Sequence, residues 1–179
     1  TTADAKGVEL SYRSLLFNIE AVRQSGMVIE SDRLLALFPF HHIVPLQGHI
    51  LCPLKLNATV CMVEELSTEA VAEAIQKYRI TVLNGVPQLY QRILAALMRR
   101  IESSLTGRTV WRLAGILPWK QVRKLLFTKV HTHFGGHIKY LLSGGAALPK
   151  ETSEGFSRLG FTIIEGYGMT EMGPLISFN

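Results

Sequence analysis

Few residues in this chain could staple it covalently. It has two cysteines, Cys52 and Cys61, too few for a disulfide framework and without CxxC spacing. That scarcity excludes the disulfide-dense secreted scaffolds and makes a reducing, cytoplasmic setting the expectation. Long apolar runs are also missing: charge, Pro or Gly interrupts each before it could span a bilayer. An N-terminal secretory pattern, internal repeats and low-complexity linkers are absent. The chain opens at Thr1-Thr2 rather than at Met, and this loop-like start is read as the edge of a piece cut from a longer protein.

Acidic residues are almost missing from one stretch. Between Arg99 and Lys139 there are nine Lys and Arg against the single acid Glu102, whereas the remainder has ten against thirteen. The net charge of +5 is therefore local. A solvated helical face would explain it. An anionic membrane surface or phosphorylated ligands are the sharper readings. Trp111 and Trp119 read first as packing residues, but with Leu113, Ile116, Leu125, Leu126 and Phe127 they also fit an interfacial patch. A non-catalytic membrane-surface module through residues 99–139 is thus the competing function, and peripheral contact at the inner face of a membrane is the matching location. Basic and aromatic residues do not interleave as in RNA-binding signatures, so no nucleic-acid partner is expected.

Apolar residues make up 47% of the chain and charged ones 18%, the balance of a folded domain. Strand and helix patterns alternate. Ser11–Gln24 reads as a helix stopped by Gly26, and Leu34–Phe40 as a buried strand. Leu46–Leu56 reads as a helix despite Pro53, and Thr59–Val63 as a strand. Ser67 caps a helix to Tyr78, Thr81–Leu83 is a strand, and Pro87 opens a helix to about Ser103. Leu105–His133 reads as one or two amphipathic helices broken near Gly115 and Pro118. Ile138–Leu142 is a strand, Pro149 starts a helix ending near Gly160, and Phe161–Ile164 is a strand that turns at Gly166-Tyr167-Gly168. Wholly apolar strands alternating with helices predict an α/β fold: a mostly parallel sheet with helices on both faces. Ligands of such sheets bind at the carboxyl ends of the strands.

Four segments could carry chemistry. Thr1-Thr2-Ala3-Asp4-Ala5-Lys6-Gly7-Val8 places hydroxyls, a lysine and a glycine before a helix, which suits phosphate oxygens, although a plain surface loop explains it equally well. Ser143-Gly144-Gly145-Ala146 follows a strand, and its glycines would admit a flat ligand, or merely a tight turn. Glu165-Gly166-Tyr167-Gly168-Met169-Thr170-Glu171 exposes an aromatic ring and follows it with a hydroxyl and a carboxylate. Tyr can stack on a base, Thr can bond phosphate and Glu can hold Mg2+; a strand ending in a capped turn is the bland reading. Pro39-Phe40-His41-His42 follows another strand, with His41 more simply structural. His131, His133 and His137 do not share one helical face and have no nearby carboxylate, so they read as ordinary histidines.

Taken in order, these segments resemble the adenylate-forming superfamily of acyl-CoA synthetases, peptide synthetase adenylation domains and luciferases. Tyr167, Gly168, Thr170 and Glu171 match its YGxTE motif, and Ser143–Ala146 its adenine-binding turn. Pro39–His42 is similar to its proline–histidine motif, and Thr1–Val8 to the back half of its TTGxPKGV loop, with Ala3 for the usual glycine and Ala5 for proline. Lys139–Ile176 looks closest to long-chain fatty acid–CoA ligases. The resemblance implies that residues 1–179 are part of an N-terminal AMP-binding domain. It implies a reaction in which ATP and a fatty acid form an acyl-adenylate, whose acyl group passes to coenzyme A, or to another thiol such as acyl carrier protein. Thr1, Thr2 and Lys6 would contact phosphates. Gly144, Gly145 and Ala146 would pack on the adenine, with Tyr167 and Gly168 opposite. Thr170 would bond the α-phosphate, Glu171 would hold Mg2+, and His42 would lie near the acyl carboxylate. The Gly85-Val86-Pro87 turn would line the acyl pocket. The family's ribose-binding aspartate and C-terminal catalytic lysine have no match here, so this chain alone is expected not to catalyse adenylation. Apolar surface left uncovered by the cut makes self-association an expectation.

Overall fold

A computed structural model describes residues 7–37, 40, 42–64 and 67–179. Residues 1–6, 38, 39, 41, 65 and 66 lie outside these, among them Thr1, Thr2, Lys6 and His41.

The helices begin where side chains can satisfy their free amides. Ser11 accepts from Ser14 N (3.1 Å) and opens α1 (Tyr12–Ser25), which closes on Gly26 at φ 65°. Strand β1 (Arg33–Ala36) follows. Next come α2 (Ile43–Pro45), a π-helical stretch (Leu46–Leu51) and α3 (Cys52–Leu56), so the segment containing Pro53 is helical as expected. Pro53 sits in the first turn of α3, where its missing amide costs little. Then come β2 (Thr59–Met62), α4 (Thr68–Lys77) capped by Ser67, β3 (Val82–Gly85) and α5 (Pro87–Glu102).

The basic stretch folds as three helices rather than one or two: α6 (Leu105–Ile116), α7 (Lys120–Leu126) and α8 (Thr128–His133). The first break falls at Leu117, which is extended because Pro118 follows it. Gly115 lies inside α6, where a Cβ would stand 3.0 Å from the Arg158 guanidinium. Its glycine serves close helix packing, with Arg158 4.8 Å above the Trp111 ring.

Strands β4 (Tyr140–Gly144) and β5 (Ile163–Gly168) flank α9 (Lys150–Arg158), and β6 (Leu175–Phe178) ends the sheet. The sheet order is β2-β1-β3-β4-β5-β6. The first five strands are parallel and β6 is antiparallel. Chain order reverses about β1, the doubly wound arrangement whose crevice lies at the strands' carboxyl ends. Two differences from expectation share a cause. Gly166-Tyr167-Gly168 was expected as a turn, yet it is the end of β5. The chain returns as β6 and pairs Gly166 with Phe178 and Tyr167 with Ser177. Gly168 permits the return, since a Cβ there would collide with Pro174 O.

Alternation splits each strand between two layers. Leu35, Leu83 and Leu141 join the large core under α4, α5 and α9, with Tyr90, Phe156 and Phe161. Leu34, Val82 and Val28 form a smaller cluster with Val22 and Leu56, against α1 and α3. Among the described residues no helix is long and apolar enough to cross a membrane.

Candidate nucleotide and acyl cleft

At the carboxyl ends of β3, β4 and β5 the thinner core layer opens into a cavity of about 320 Å³. Its mouth is lined by Gly144, Gly145, Tyr167, Gly168 and Thr170, five of the residues singled out from sequence. Two segments more than twenty residues apart thus share one cleft. The register explains why: Gly144 pairs with Gly166 across adjacent strands.

The glycines divide into two kinds. Gly145 has φ +85° and needs glycine for its backbone. Gly144 does not: its φ is not in the left-handed region, and a Cβ would meet only Gly166 O at 3.6 Å, an ordinary contact. At Gly166 a Cβ would meet Leu175 Cδ1 and Ser143 O at 3.8 Å. Neither packing nor turn geometry calls for glycine at these two partners. Side by side they leave bare backbone at the cleft, where a flat ring can approach.

Tyr167 is 64% exposed beside this floor. A bulge between Tyr167 and Gly168 breaks the β5–β6 register at that point. Thr170 starts a 3-10 turn (Thr170–Met172) that also carries Glu171. Asn18 of α1 fastens this turn: its Nδ2 donates to Met172 O (3.1 Å) and its Oδ1 accepts from Leu175 N (2.8 Å). Glu165 ties the other loop to β5, its Oε1 accepting from Leu148 N at 3.2 Å. Asn18 was not singled out from sequence, and Glu165 was named there only as the first residue of its segment, since each acts on backbone far away in the chain.

Three predicted residues stand beside the cavity lining rather than in it. Ala146 is exposed next to Gly145, and Glu171 is exposed next to Thr170. His42 is exposed at the N-cap of α2, whose Ile43 and Val44 do line the cavity. The contribution of β3 is Asn84, not the Gly85-Val86-Pro87 turn; a Cβ on Gly85 would approach Leu89 and Tyr90 in the opposite layer. Thr1, Thr2 and Lys6 lie outside the described residues.

Glu171 makes no ion pair among the described residues, and no group of three His, Cys, Asp or Glu is found among them. Glu171 is thus a single exposed carboxylate, a hard oxygen donor of the kind Mg2+ takes together with substrate phosphates.

Behind the mouth the wall is apolar, with Ile19, Val22, Met27, Val28 and Leu34. No Lys, Arg, His, Asp or Glu is among the lining residues described. The polar side chains there include Gln47 and Asn84, and Gln47 Oε1 is buried without a hydrogen-bond partner among the described residues. Cys52 also lines it, its thiol pushed up to about 11 by burial, so it is a neutral, unreactive part of the wall. Sequence periodicity does not separate such a lining from packed core, because the gap between α1 and the sheet depends on tertiary packing.

The histidines of the basic stretch are structural where they are buried. His131 stacks on Phe161 (4.1 Å between centroids), and its Nε2 donates to Leu159 O (2.9 Å). Trp111 packs edge-on against Phe127, whereas Trp119, expected to pack, is 63% exposed.

Comparison with known proteins agrees with this fold. The peroxisomal long chain acyl-CoA synthetase 6 of Arabidopsis thaliana is 28% identical over 99% of this chain and 27% of its own length. A mitochondrial malonate–CoA ligase of Mus musculus is 29% identical over 99% of this chain and 28% of its own. A malonyl-CoA ligase solved as a ternary product complex with methylmalonyl-CoA and AMP superposes with a TM-score of 0.69, at 26% identity, over 99% of this chain and 32% of its own. The chain thus spans about a third or less of these relatives. The family profile described as AMP-binding enzyme matches residues 1–179, and the chain belongs to that family.

Proposed function

We propose that this chain forms the nucleotide and acyl cleft of an ATP-dependent acid–thiol ligase that activates a long-chain fatty acid and passes it to coenzyme A. On this reading residues 1–179 are part of an N-terminal AMP-binding domain. The observation that carries it is the bare floor of Gly144 and Gly166 beside the exposed Tyr167 ring. Adenine would lie between Gly144–Ala146 and Tyr167–Gly168. Thr170 would bond the α-phosphate, and Glu171 would hold the Mg2+ that neutralises phosphate charge. Thr1, Thr2 and Lys6 would contact the remaining phosphates. His42, at the head of α2, would face the acid's carboxylate where it meets the α-phosphorus. Displacement there is governed by positioning and charge neutralisation, which these groups would supply.

The cavity wall supports an apolar acid over a dicarboxylate. A second carboxylate buried there would find no cation among the described lining residues, and an uncompensated buried charge is costly. The relatives' names, which are CoA ligases and synthetases, support coenzyme A over acyl carrier protein as the acceptor. Calorimetric titration with Mg2+–ATP tests the site: wild type should bind, and Tyr167→Ala should bind at least about tenfold more weakly after losing a stacking face. Equal heats would contradict the proposed adenine position. Pyrophosphate exchange by this chain alone should be undetectable, and turnover would contradict that expectation.

A second role is favoured by the surface of α6 and α7. Leu105, Arg112, Leu113 and Ile116 fall at spacings of seven, eight and eleven, on the side away from buried Ala114. Leu105, Ile116, Trp119 and Leu125 are 78%, 79%, 63% and 73% exposed, and no Asp or Glu occurs between Glu102 and Glu151. Such a surface suits peripheral contact with an anionic bilayer at its cytoplasmic face. Co-sedimentation with phosphatidylserine vesicles should weaken as salt rises and fall on Trp119→Ala. Equal binding to neutral vesicles, or preference for duplex DNA, would contradict it.

A further inference from the structure

Tyr90 is the bulkiest of the fully buried side chains. A buried phenol needs a hydrogen-bond partner, and this one has two. Its hydroxyl lies 2.8 Å from Leu83 O and 2.8 Å from Leu142 O, sharing its single proton between the two carbonyls. Leu83 belongs to β3 and Leu142 to β4. These strands run parallel and pair Asn84 with Leu142 and Gly85 with Ser143. The hydroxyl therefore spans the seam between two strands just before they reach the cleft. Leu142 itself lines the cavity, and Gly144 is two residues further on.

The local sequence seats the ring there. Pro87 opens α5 two residues after β3 ends, so Tyr90 falls in the first helical turn. Gly85 lets the start of α5 pack close: a Cβ would stand 2.7 Å from Leu89 Cδ2, with the Tyr90 ring beside it at 3.4 Å. Phe156 of α9 meets the ring edge-on, at 5.8 Å between centroids and 87° between planes. Packing alone would accept phenylalanine at this position, without a hydroxyl to desolvate.

We propose that Tyr90 is a positioning residue for the nucleotide cleft: its hydroxyl holds β3 and β4 at a fixed spacing at their carboxyl ends, and so sets the Gly144–Gly145 turn. It touches no ligand and acts through the backbone. The inference rests on the nucleotide reading of the cleft.

The test titrates Mg2+–ATP into wild type, Tyr90→Phe and Phe156→Leu, with thermal unfolding of each. Phe156→Leu disturbs the same core contact but spares the hydroxyl. Tyr90→Phe should bind about tenfold more weakly, while Phe156→Leu should keep wild-type affinity despite an equal or larger drop in Tm. Unchanged affinity in Tyr90→Phe overturns the proposal, as does an equal loss in both variants. Wild type that takes up no nucleotide removes the nucleotide reading and this inference with it; binding by wild type with an indifferent Tyr90→Phe removes only the inference. Should Tyr90→Phe not fold, wild type labelled with 13C at tyrosine Cζ reads the same bond. Coupling is reciprocal, so saturation with nucleotide should slow exchange of the Tyr90 hydroxyl proton. An unchanged exchange rate overturns the proposal.

Discussion

Gly144 of β4 and Gly166 of β5 are register partners in adjacent parallel strands, and a Cβ on either would make only ordinary contacts inside the protein. Glycine in a strand weakens it by about 0.5–1 kcal/mol relative to alanine. Two such losses side by side call for a reason outside the packing, and a flat ligand against bare backbone supplies one. Gly145 and Gly168 next to them have structural reasons of their own, a positive φ and the close approach of Pro174. Motif matching alone treats all four alike.

Asn18 should matter to the site although it is remote in sequence. Asn18→Ala removes both bonds to the turn carrying Thr170 and Glu171. It leaves Leu175 N and Met172 O without their partner, at a cost of about 1–3 kcal/mol. Urea unfolding should show that loss, and amide exchange should quicken at Met172–Leu175. Wild-type exchange in the variant would contradict the role.

At the amino ends of the strands, the end away from the cleft, buried Asp32 staples the starts of β1, β3 and β4. Its carboxylate accepts from Ile29 N (2.9 Å), Thr81 Oγ1 (2.8 Å) and Lys139 Nζ (3.0 Å). Asp32→Ala should cost about 2–3 kcal/mol, toward the low end for a broken buried pair because the Lys139 side chain remains 36% exposed. Lys139→Met should cost less, since Asp32 keeps its other donors. Denaturant unfolding of the two variants checks the order, and the reverse order would contradict it.

Stability should fall on mild acidification. Burial holds the His49 imidazole down at about 4, against an ordinary 6.5. The unfolded chain therefore takes up a proton that the folded one refuses. The stabilisation is complete above pH 6.5, declines as pH falls toward 4, and changes little below that. The full span is on the order of 3 kcal/mol. His131, also lowered by burial, adds a slope of the same sign. Tm measured between pH 7 and 4 should drop, and His49→Gln should flatten the profile. An unchanged profile in the variant would contradict the assignment.

The fold was legible from sequence where local signals agree with the core. Ser11, Ser67 and Pro87 mark helix starts, and the apolar runs of β1, β3 and β4 mark a parallel sheet. The motifs located the mouth of the cleft through Gly144, Gly145, Tyr167, Gly168 and Thr170. Strand β6 was missed because its pairing depends on the Pro174 turn, and flanking glycines made β5 read as ending early. The apolar recess was missed because Ile19, Met27 and Leu34 carry the same pattern whether they face packed core or open space. Asn18 and Tyr90 were missed because their partners are backbone groups, which leave no mark in residue type.

The most direct test of the account is calorimetric titration of Mg2+–ATP into Gly144→Ala beside wild type, with Tm measured on both. A methyl group there meets only Gly166 O at 3.6 Å, so the variant should keep or raise its Tm while binding nucleotide at least about tenfold more weakly. Wild-type affinity in a stably folded Gly144→Ala would contradict the claim that this floor is kept bare for the nucleotide.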